Sequence, residues 1–405
     1  MLDIGQERVL LLKCLNQTLA RLDGERLVRD ALQGGEPRRP VRLVAIGKAA
    51  AAMAAGALSV WGQWIEHSLV ITRHGYAAPW RSRLAGAELI EAGHPLPDAD
   101  SLRAGERLLS LLDAAGGEPL FLLSGGASAL VEVARPGITL DDLQRVNRWL
   151  IGSGLPIEAI NAVRCRLSRI KGGGLCRWPG AVPARVLLIS DVPGDDPALI
   201  GSGLLQPGAG ARTLPDDLPD WLRDLLPAAD APPGNACVTH EMLANLASAR
   251  LAAAASAREM GLDVHDHVAE LRGDAADTGR ELVRYLSDAP PGLHVWGGET
   301  SVVLPQAPGR GGRCQHLALS AAVAMAGRDD LCLLAVGTDG SDGATEDAGA
   351  LVDGGTLARG ALAGLNAQDS LRRADAGRFL EACGDLISTG PTGTNVRDLV
   401  LALKP

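Results

Sequence analysis

Large aromatic side chains are scarce in this chain: two Phe and two Tyr stand beside seven Trp in 405 residues. The interior must therefore be filled by Ala, Leu, Val and Ile, the material of helices packed on a sheet. Cysteine is sparse and badly placed for cross-linking. The seven residues at positions 14, 165, 176, 237, 314, 332 and 383 are odd in number and include no C-x-x-C pair, which excludes a disulfide framework and a zinc ribbon. Positive charge is in deficit, 39 Lys plus Arg against 48 Asp plus Glu for a net charge of -9, and this argues against nucleic acid or an anionic membrane as partner. No apolar run approaches the length of a membrane span, and Asp3 and Glu7 interrupt the N-terminus where a signal peptide would be basic and then apolar. The expectation is a cytoplasmic protein. Two common nucleotide signatures are missing as well. Ile46-Gly47-Lys48-Ala49 lacks the upstream glycine and the following Ser or Thr of a P-loop, and no G-x-G-x-x-G follows an apolar strand.

What is present is a series of apolar runs that stop at glycine-bearing loops. The plainest is Leu120 to Leu123, which reads as a buried strand and gives way to Ser124-Gly125-Gly126-Ala127-Ser128, with a helix expected to begin at Ser128. Glycine backbone, two hydroxyls and a helix start together make an anion site. Residues 41–46 form another such strand, ended by Gly47-Lys48 and followed by an alanine-rich helix over 49–58. A strand at 68–72 exits into Arg73-His74-Gly75-Tyr76. Helices are expected over 7–34, 101–115 and 140–151, and a strand at 186–190 delivers Asp191, Asp195 and Asp196. Strands that alternate with helices imply crossovers and a parallel sheet. Between 164 and 177 lie five cations, the densest positive charge in the chain, among them Arg164 and Lys171.

At this length two domains are expected. Periodicity fades and Pro, Gly and Asp accumulate from 206 to 233, so the junction is placed near 205–236, between domains 1–230 and 237–405. The second half opens with a helical pattern over 239–260, Thr239 as its N-cap. His265 and His267 share a strand without a third nearby ligand, so they read as polar face residues and not as a metal site. A strand at 294–296 runs into Gly297-Gly298-Glu299-Thr300. The loop 308–316, with Gly311, Gly312 and Arg313 before a helix over 317–325, makes a second anion site. A strand at 331–336 exits into Thr338-Asp339-Gly340-Ser341-Asp342-Gly343, which lacks the last ligand of an EF-hand loop. The last loop, 388–395, precedes a closing strand at 399–403.

Ligands of open α/β sheets bind at the carboxyl ends of strands. Converging loops would offer main-chain N–H groups with Lys48, Arg164 and Arg313 for oxyanions, and Asp191, Asp195, Asp339 and Asp342 for a hydrated Mg²⁺. That inventory suits phosphoryl transfer, which works by positioning and charge neutralisation.

In their order, Gly47-Lys48-Ala49, Gly93-His94-Pro95-Leu96-Pro97-Asp98, Ser124-Gly125-Gly126, Lys171-Gly172-Gly173, the run from Ser190 to Pro197, Gly297-Gly298-Glu299-Thr300, Gly311-Gly312-Arg313, Thr338-Asp339-Gly340 and the run from Thr389 to Val396 resemble the class II glycerate kinases (glycerate 2-kinases), a family whose members are also labelled hydroxypyruvate reductases. The resemblance covers nearly the whole chain. It implies an α/β protein of two domains, a Rossmann-like parallel sheet domain at the N-terminus and a second α/β domain, with the active site in the interdomain cleft. It also implies ATP- and Mg²⁺-dependent phosphorylation of D-glycerate to 2-phosphoglycerate. The family's catalytic lysine and arginine fall on Lys48 and Arg313. Residue chemistry and resemblance together mark Ser124, Gly125, Gly126, Ser128, Arg164, Lys171, Gly298, Glu299, Gly311, Gly312, Thr392 and Asn395 for phosphate or substrate, and Asp191 and Asp339 for the metal. The partners expected are ATP and a small hydroxy acid, with neither nucleic acid nor membrane, and a homodimer is compatible with this. Departures from the family pattern stand at Cys165, Ala127, Cys314 and His316. Two alternatives stay open: the family's other label suggests an NAD(P)H-dependent hydroxypyruvate reductase, against which the missing dinucleotide fingerprint counts, and the departures suggest a catalytically altered protein that binds a small acid or a nucleotide.

Overall fold

A computed structural model describes residues 4–114, 116–208, 213–228 and 237–405. The chain divides into two compact units. One comprises Asp23–Asn245 with Gly393–Asn395; the other takes the helix Ile4–Leu22 together with Leu246–Thr392 and Val396–Pro405.

The first unit is built on six strands: β1 (Val41–Ile46), β2 (Ile65–Arg73), β3 (Glu88–Ala92), β4 (Glu118–Leu123), β5 (Ala184–Ile189) and β6 (Val238–Ala244). All pair in parallel, in the order β3-β2-β1-β4-β5-β6. Continuous aliphatic runs suit the central strands, because crossover helices cover both faces and leave no side for polar alternation. Arg42 is the exception inside β1. It is 5% exposed, and its guanidinium donates to the carbonyls of Leu112 and Ala114 at 3.0 Å and Gly180 at 2.9 Å, which satisfies the buried charge with main-chain acceptors. The order of the strands reverses between β1 and β4. Such a switch point opens a crevice at the carboxyl ends of the two strands, where the loops diverge to opposite sides.

The second unit holds β7 (Val264–Asp266), β8 (Gly292–Gly298), β9 (Cys332–Gly337), β10 (Gly349–Asp353), β11 (Leu386–Ile387) and β12 (Asp398–Lys404), in the order β11-β10-β9-β12-β8-β7. This sheet is mixed: β7 and β8 run parallel, whereas β12 lies antiparallel between β8 and β9 and brings Asp398 beside both Gly298 and Gly337. The helix Arg313–Ala324 is buried over most of its length against a core that includes Leu333, Phe379 and Val400. Among the described residues no helix is long and apolar enough to cross a membrane.

Several expectations are corrected. The pattern over 7–34 belongs to two helices, Ile4–Leu22 and Gly24–Leu32. Asp23 separates them by capping the second, accepting the Glu25 N–H at 3.0 Å. The first packs in the second unit, where Cys14 Sγ reaches Ala253 O and Arg21 pairs with Glu259. The division thus differs from 1–230 and 237–405 at the N-terminus. It differs also at 237–245, because residues 239–244 do not open a helix: they are in β6, paired to β5, and the helix runs Leu246–Glu259. An edge strand with half-exposed residues lacks a clean alternation, and the apolar residues at its end merged with the helical stripe that follows. Parts of the expected junction, residues 209–212 and 229–236, lie outside the described residues, as do the ends of the first domain at 1 and 230. The helix expected from Ser128 is a single turn, Ala127–Leu130, too short for a useful dipole. Strand β3, short and partly exposed, had no distinct signal.

Candidate active site

In the first unit the loops after β1 and β4 lock together at the switch point. Lys48 N–H donates to Gly125 O at 2.9 Å, and Ala49 N–H donates to the hydroxyl of Ser124 at 3.0 Å. Ser124 is fully buried, so its side chain serves first as a brace between the loops. Gly47 at φ +132° lies so close to Ser124 that any side chain there would overlap it. These contacts fix Gly125 and Gly126 in a shallow cradle. On one side, a methyl group at Gly125 would fall inside the surfaces of Asp191 Oδ2 and Asn395 Nδ2, two groups joined by a hydrogen bond of 3.0 Å from the Asn395 amide. On the other, Gly126 at φ +86° leaves room for Lys48 and His94: a methyl there would stand 3.3 Å from Lys48 Cγ and 3.2 Å from His94 Cδ2. Lys48, Gly125, Gly126, Asp191 and Asn395 are thereby brought together, from positions far apart in sequence.

The remaining residues marked in this unit sit elsewhere. The Ser128 hydroxyl pairs with that of Ser202 at 2.7 Å, and Ser202 in turn donates to Asn161 at 2.9 Å, a chain that ties two short helical turns to the helix Ile157–Leu167. Lys171, 4% exposed, forms a buried ion pair with Glu132, 5% exposed. A buried pair of this kind is weak evidence for a ligand site, since each charge already has its counter-ion. Arg164 is half-buried and donates to Asn147 Oδ1 at 3.0 Å; burial pushes its pKa down, against the pull of Glu132. The basic run thus supplies internal partners. Nothing in the sequence marked Glu132 as the partner, because its acid lies far from the run.

In the second unit Arg313 opens its helix beside the junction of β8, β9 and β12. Its Nε and Nη2 fork onto Asp398 at 2.5 and 2.9 Å, and Nη1 lies 3.0 Å from Glu299 Oε1. Burial opposes the charge on Arg313, but Asp398 and Glu299 outweigh it and raise its pKa. Sequence reasoning missed Asp398, whose one legible signal is an acidic residue just before the apolar run of β12. The expected anion site at the helix start is filled from within. Asp342 Oδ1 accepts the Cys314 N–H at 3.1 Å and Oδ2 accepts the Gln315 N–H at 2.8 Å, and the absence of a side chain at Gly312 makes room for this carboxylate. Burial, aided by Asp398, pushes Asp342 up to about 7 against those two hydrogen bonds. Gly311 packs near the Gly377 main chain, where a methyl would stand 3.2 Å from its nitrogen, and Gly298 must be glycine because Leu271 crosses it backbone to backbone. Glu299 is exposed and counts Arg313 among its partners. Thr392 donates to Thr338 O at 2.5 Å. Asp339, 5% exposed, accepts the Ser341 N–H at 3.0 Å at the exit of β9. His316 is buried, with Asp274 and Arg280 as its charged neighbours, and burial lowers its pKa; Cys314 is buried and its thiol is pushed well up.

Asp191 and Asp339 offer hard oxygen donors, the kind Mg²⁺ prefers. Among the described residues the group of three His, Cys, Asp or Glu close enough to hold a metal is His74, Asp98 and Asp100, so neither aspartate belongs to a preformed cage. His265 and His267 are spoken for: His267 stacks on Trp296 at 4.3 Å between centroids and lies 3.1 Å from His294 Nδ1, and His265 Nε2 is 3.0 Å from Pro291 O.

Comparison with known proteins matches residues 10–215 to the family described as a domain of unknown function, DUF4147, and residues 292–398 to the MOFRL family. A D-glycerate 2-kinase of Thermotoga maritima is 34% identical over 424 aligned residues, covering the whole of both chains. A putative hydroxypyruvate reductase of Agrobacterium vitis is 38% identical over 90% of this chain and 87% of its own. The crystal structure of a glycerate kinase from Thermotoga maritima superposes with a TM-score of 0.81 at 32% identity, over 98% of this chain and 99% of the other.

Proposed function

The chain belongs to the class II glycerate kinase family, and from that premise we propose that it transfers the γ-phosphoryl group of ATP to the 2-hydroxyl of D-glycerate, giving ADP and 2-phosphoglycerate. The observation that carries this reading is the pair of interlocked loops at the switch point between β1 and β4, where Lys48 flanks a diglycine backbone that admits no side chain at Gly125. Main-chain N–H groups and a lysine suit phosphate or carboxylate oxygens, and a crevice outside the strand ends is where such ligands bind. The strand order β3-β2-β1-β4-β5-β6 is the doubly wound order of nucleotide-binding sheets, reached here without their usual glycine fingerprint.

Phosphoryl transfer asks for charge neutralisation more than for covalent chemistry. In the proposal, Lys48 and Arg313 supply it, and the carboxylates on Arg313 hold its guanidinium in one orientation. Asp191 and Asp339 are each proposed as a carboxylate for Mg²⁺, whose habit is to take one or two carboxylates and leave its other positions to phosphate oxygens and water. Bound there, it would offset phosphate charge. We infer cytoplasmic action, in keeping with seven free cysteines, of which six are buried.

The test is ADP release with D-glycerate, and identification of the phosphorylated product by phosphorus NMR. Arg313→Ala is expected to lower turnover on the order of 10³-fold, with circular dichroism checking that the fold survives the exposure of Asp398. Near-normal turnover in that variant removes Arg313 from the mechanism. The hydroxypyruvate reductase name borne by the Agrobacterium relative supplies the counter-assay: robust NADH oxidation with hydroxypyruvate, without ADP formation from glycerate, overturns the kinase reading.

A further inference from the structure

The stretch Gly93-His94-Pro95-Leu96-Pro97-Asp98 joins β3 to the helix Ala99–Asp113, and it is held more firmly than a connection requires. Asp98 accepts the Ser101 N–H at 3.0 Å and the Ser101 hydroxyl at 3.2 Å, is paired with His74 at 2.8 Å and takes a hydrogen bond from the Gly93 main chain. Ser101 returns the contact to the Asp98 N–H at 3.0 Å. Gly93 is itself so tightly packed that a methyl would lie 2.6 Å from Leu96 O, and Gln144 donates to Pro97 O at 2.9 Å. With these bonds Asp98 has little capacity left for a metal, despite its place in the His74, Asp98, Asp100 group. What the braced turn does deliver is an imidazole. A methyl at Gly126 would stand 3.2 Å from His94 Cδ2 and 3.4 Å from His94 Nε2, so the ring edge lies over the same glycine that Lys48 flanks.

We propose that His94 is a further substrate-contacting residue of this cradle and that it hydrogen-bonds the hydroxyl of the acceptor acid, which gives the enzyme its preference for a 2-hydroxy acid; this rests on the kinase reading above. The chemistry favours the acceptor over the nucleotide. Phosphate oxygens only accept, and phosphoryl-transfer sites meet them with cations, metal ions and main-chain N–H groups. A hydroxyl both donates and accepts, and a neutral imidazole does the same through its two nitrogens. Lys48 reaches along a flexible stem, whereas the His94 ring is rigid and its turn is pinned from four directions, the condition for reading the position of a single oxygen. The cradle accordingly sets a ring suited to the acid's hydroxyl beside the lysine that meets the charge of the transferred group.

The experiment compares wild type, His94→Ala and His94→Asn in steady-state assays with D-glycerate and ATP, and measures competitive inhibition by 3-hydroxypropionate, which lacks the 2-hydroxyl. For His94→Ala the expected result is a fall of ~10- to 100-fold in kcat/KM for D-glycerate, the scale of one lost hydrogen bond to a desolvated group. KM for ATP stays within about twofold, His94→Asn recovers part of the loss through its amide, and the ratio between D-glycerate and 3-hydroxypropionate affinities narrows. A loss shared equally by ATP, an unchanged affinity ratio, or no loss at all overturns the assignment. Calorimetric titration with D-glycerate, which needs no turnover, separates the two readings. Wild type that binds the acid more tightly than His94→Ala but forms no ADP refutes the kinase and leaves the His94 contact standing. Wild type that forms ADP while both proteins bind the acid alike refutes His94 alone.

Discussion

At Gly125 one added methyl group is enough to probe the cradle, because it would be driven into Asp191 Oδ2 and Asn395 Nδ2. Gly125→Ala is expected to cost about 1–3 kcal/mol through overpacking and to abolish most activity, since relief requires the Asp191–Asn395 pair to part; urea denaturation and the ADP assay check the two effects separately. Asp342 offers a test of a different kind. The folded protein holds this proton to about pH 7, whereas the ordinary carboxyl value is 3.8. Between those values the native state binds more protons than the unfolded chain, so the contribution of this group to stability falls as pH rises across the window. Asp342→Asn has no such slope. Its stability relative to wild type should improve from about pH 4.5 to about pH 7.5, read as the difference in urea midpoints; curves that run parallel would show that Asp342 is ionised throughout.

The helix Ala99–Asp113 depends on Asp98 and Ser101, which form a reciprocal capping box. Asp98→Ala should destabilise by about 1–2 kcal/mol, and Asp98→Asn, which retains an acceptor for the Ser101 N–H, by less; thermal melts decide. How far such elements were legible depended on burial. Strand β1 was readable to the residue because all six positions are buried and aliphatic apart from Arg42. The neighbouring β4 ended as expected at Leu123. At the edge the signal thins: β6, partly exposed along its length, reads as the start of a helix, and β3 carries no distinct pattern. In the second unit the pattern of apolar runs could locate β8, β9 and β12, yet nothing in a run of buried residues tells its direction, so the antiparallel placement of β12 was not available. The same limit applies to the site. Lys48 and Arg313 could be picked because they stand at element ends beside glycine, while Asp398 and Glu132 could not, being partners supplied by pairing across long sequence separations.

Over the whole molecule, the chain path is interleaved: the N-terminal helix Ile4–Leu22 joins the second unit, residues 23–245 build the first, and the chain then completes the second apart from Gly393–Asn395. Strand β12 is the keystone of its sheet, bonded on one side to β8 and on the other to β9. Removal of residues 398–405 strips both neighbours of a partner and leaves apolar strand edges open. The truncated protein is expected to be insoluble, or to lose the near-ultraviolet signal of Trp296 on β8; a soluble protein with native melting behaviour would contradict the topology.

Asn395 has a consequence for synthesis. The first unit has all six strands once residue 244 is made, but the amide that holds Asp191 against the diglycine comes from residue 395. Domains generally fold as they emerge during translation, and here folding of the sheet runs ahead of completion of the pocket. Until residue 395 has left the ribosomal exit tunnel, the nascent protein has a formed sheet and an unfinished binding site. Ligand capture is thereby deferred until that later segment has folded back against Asp191.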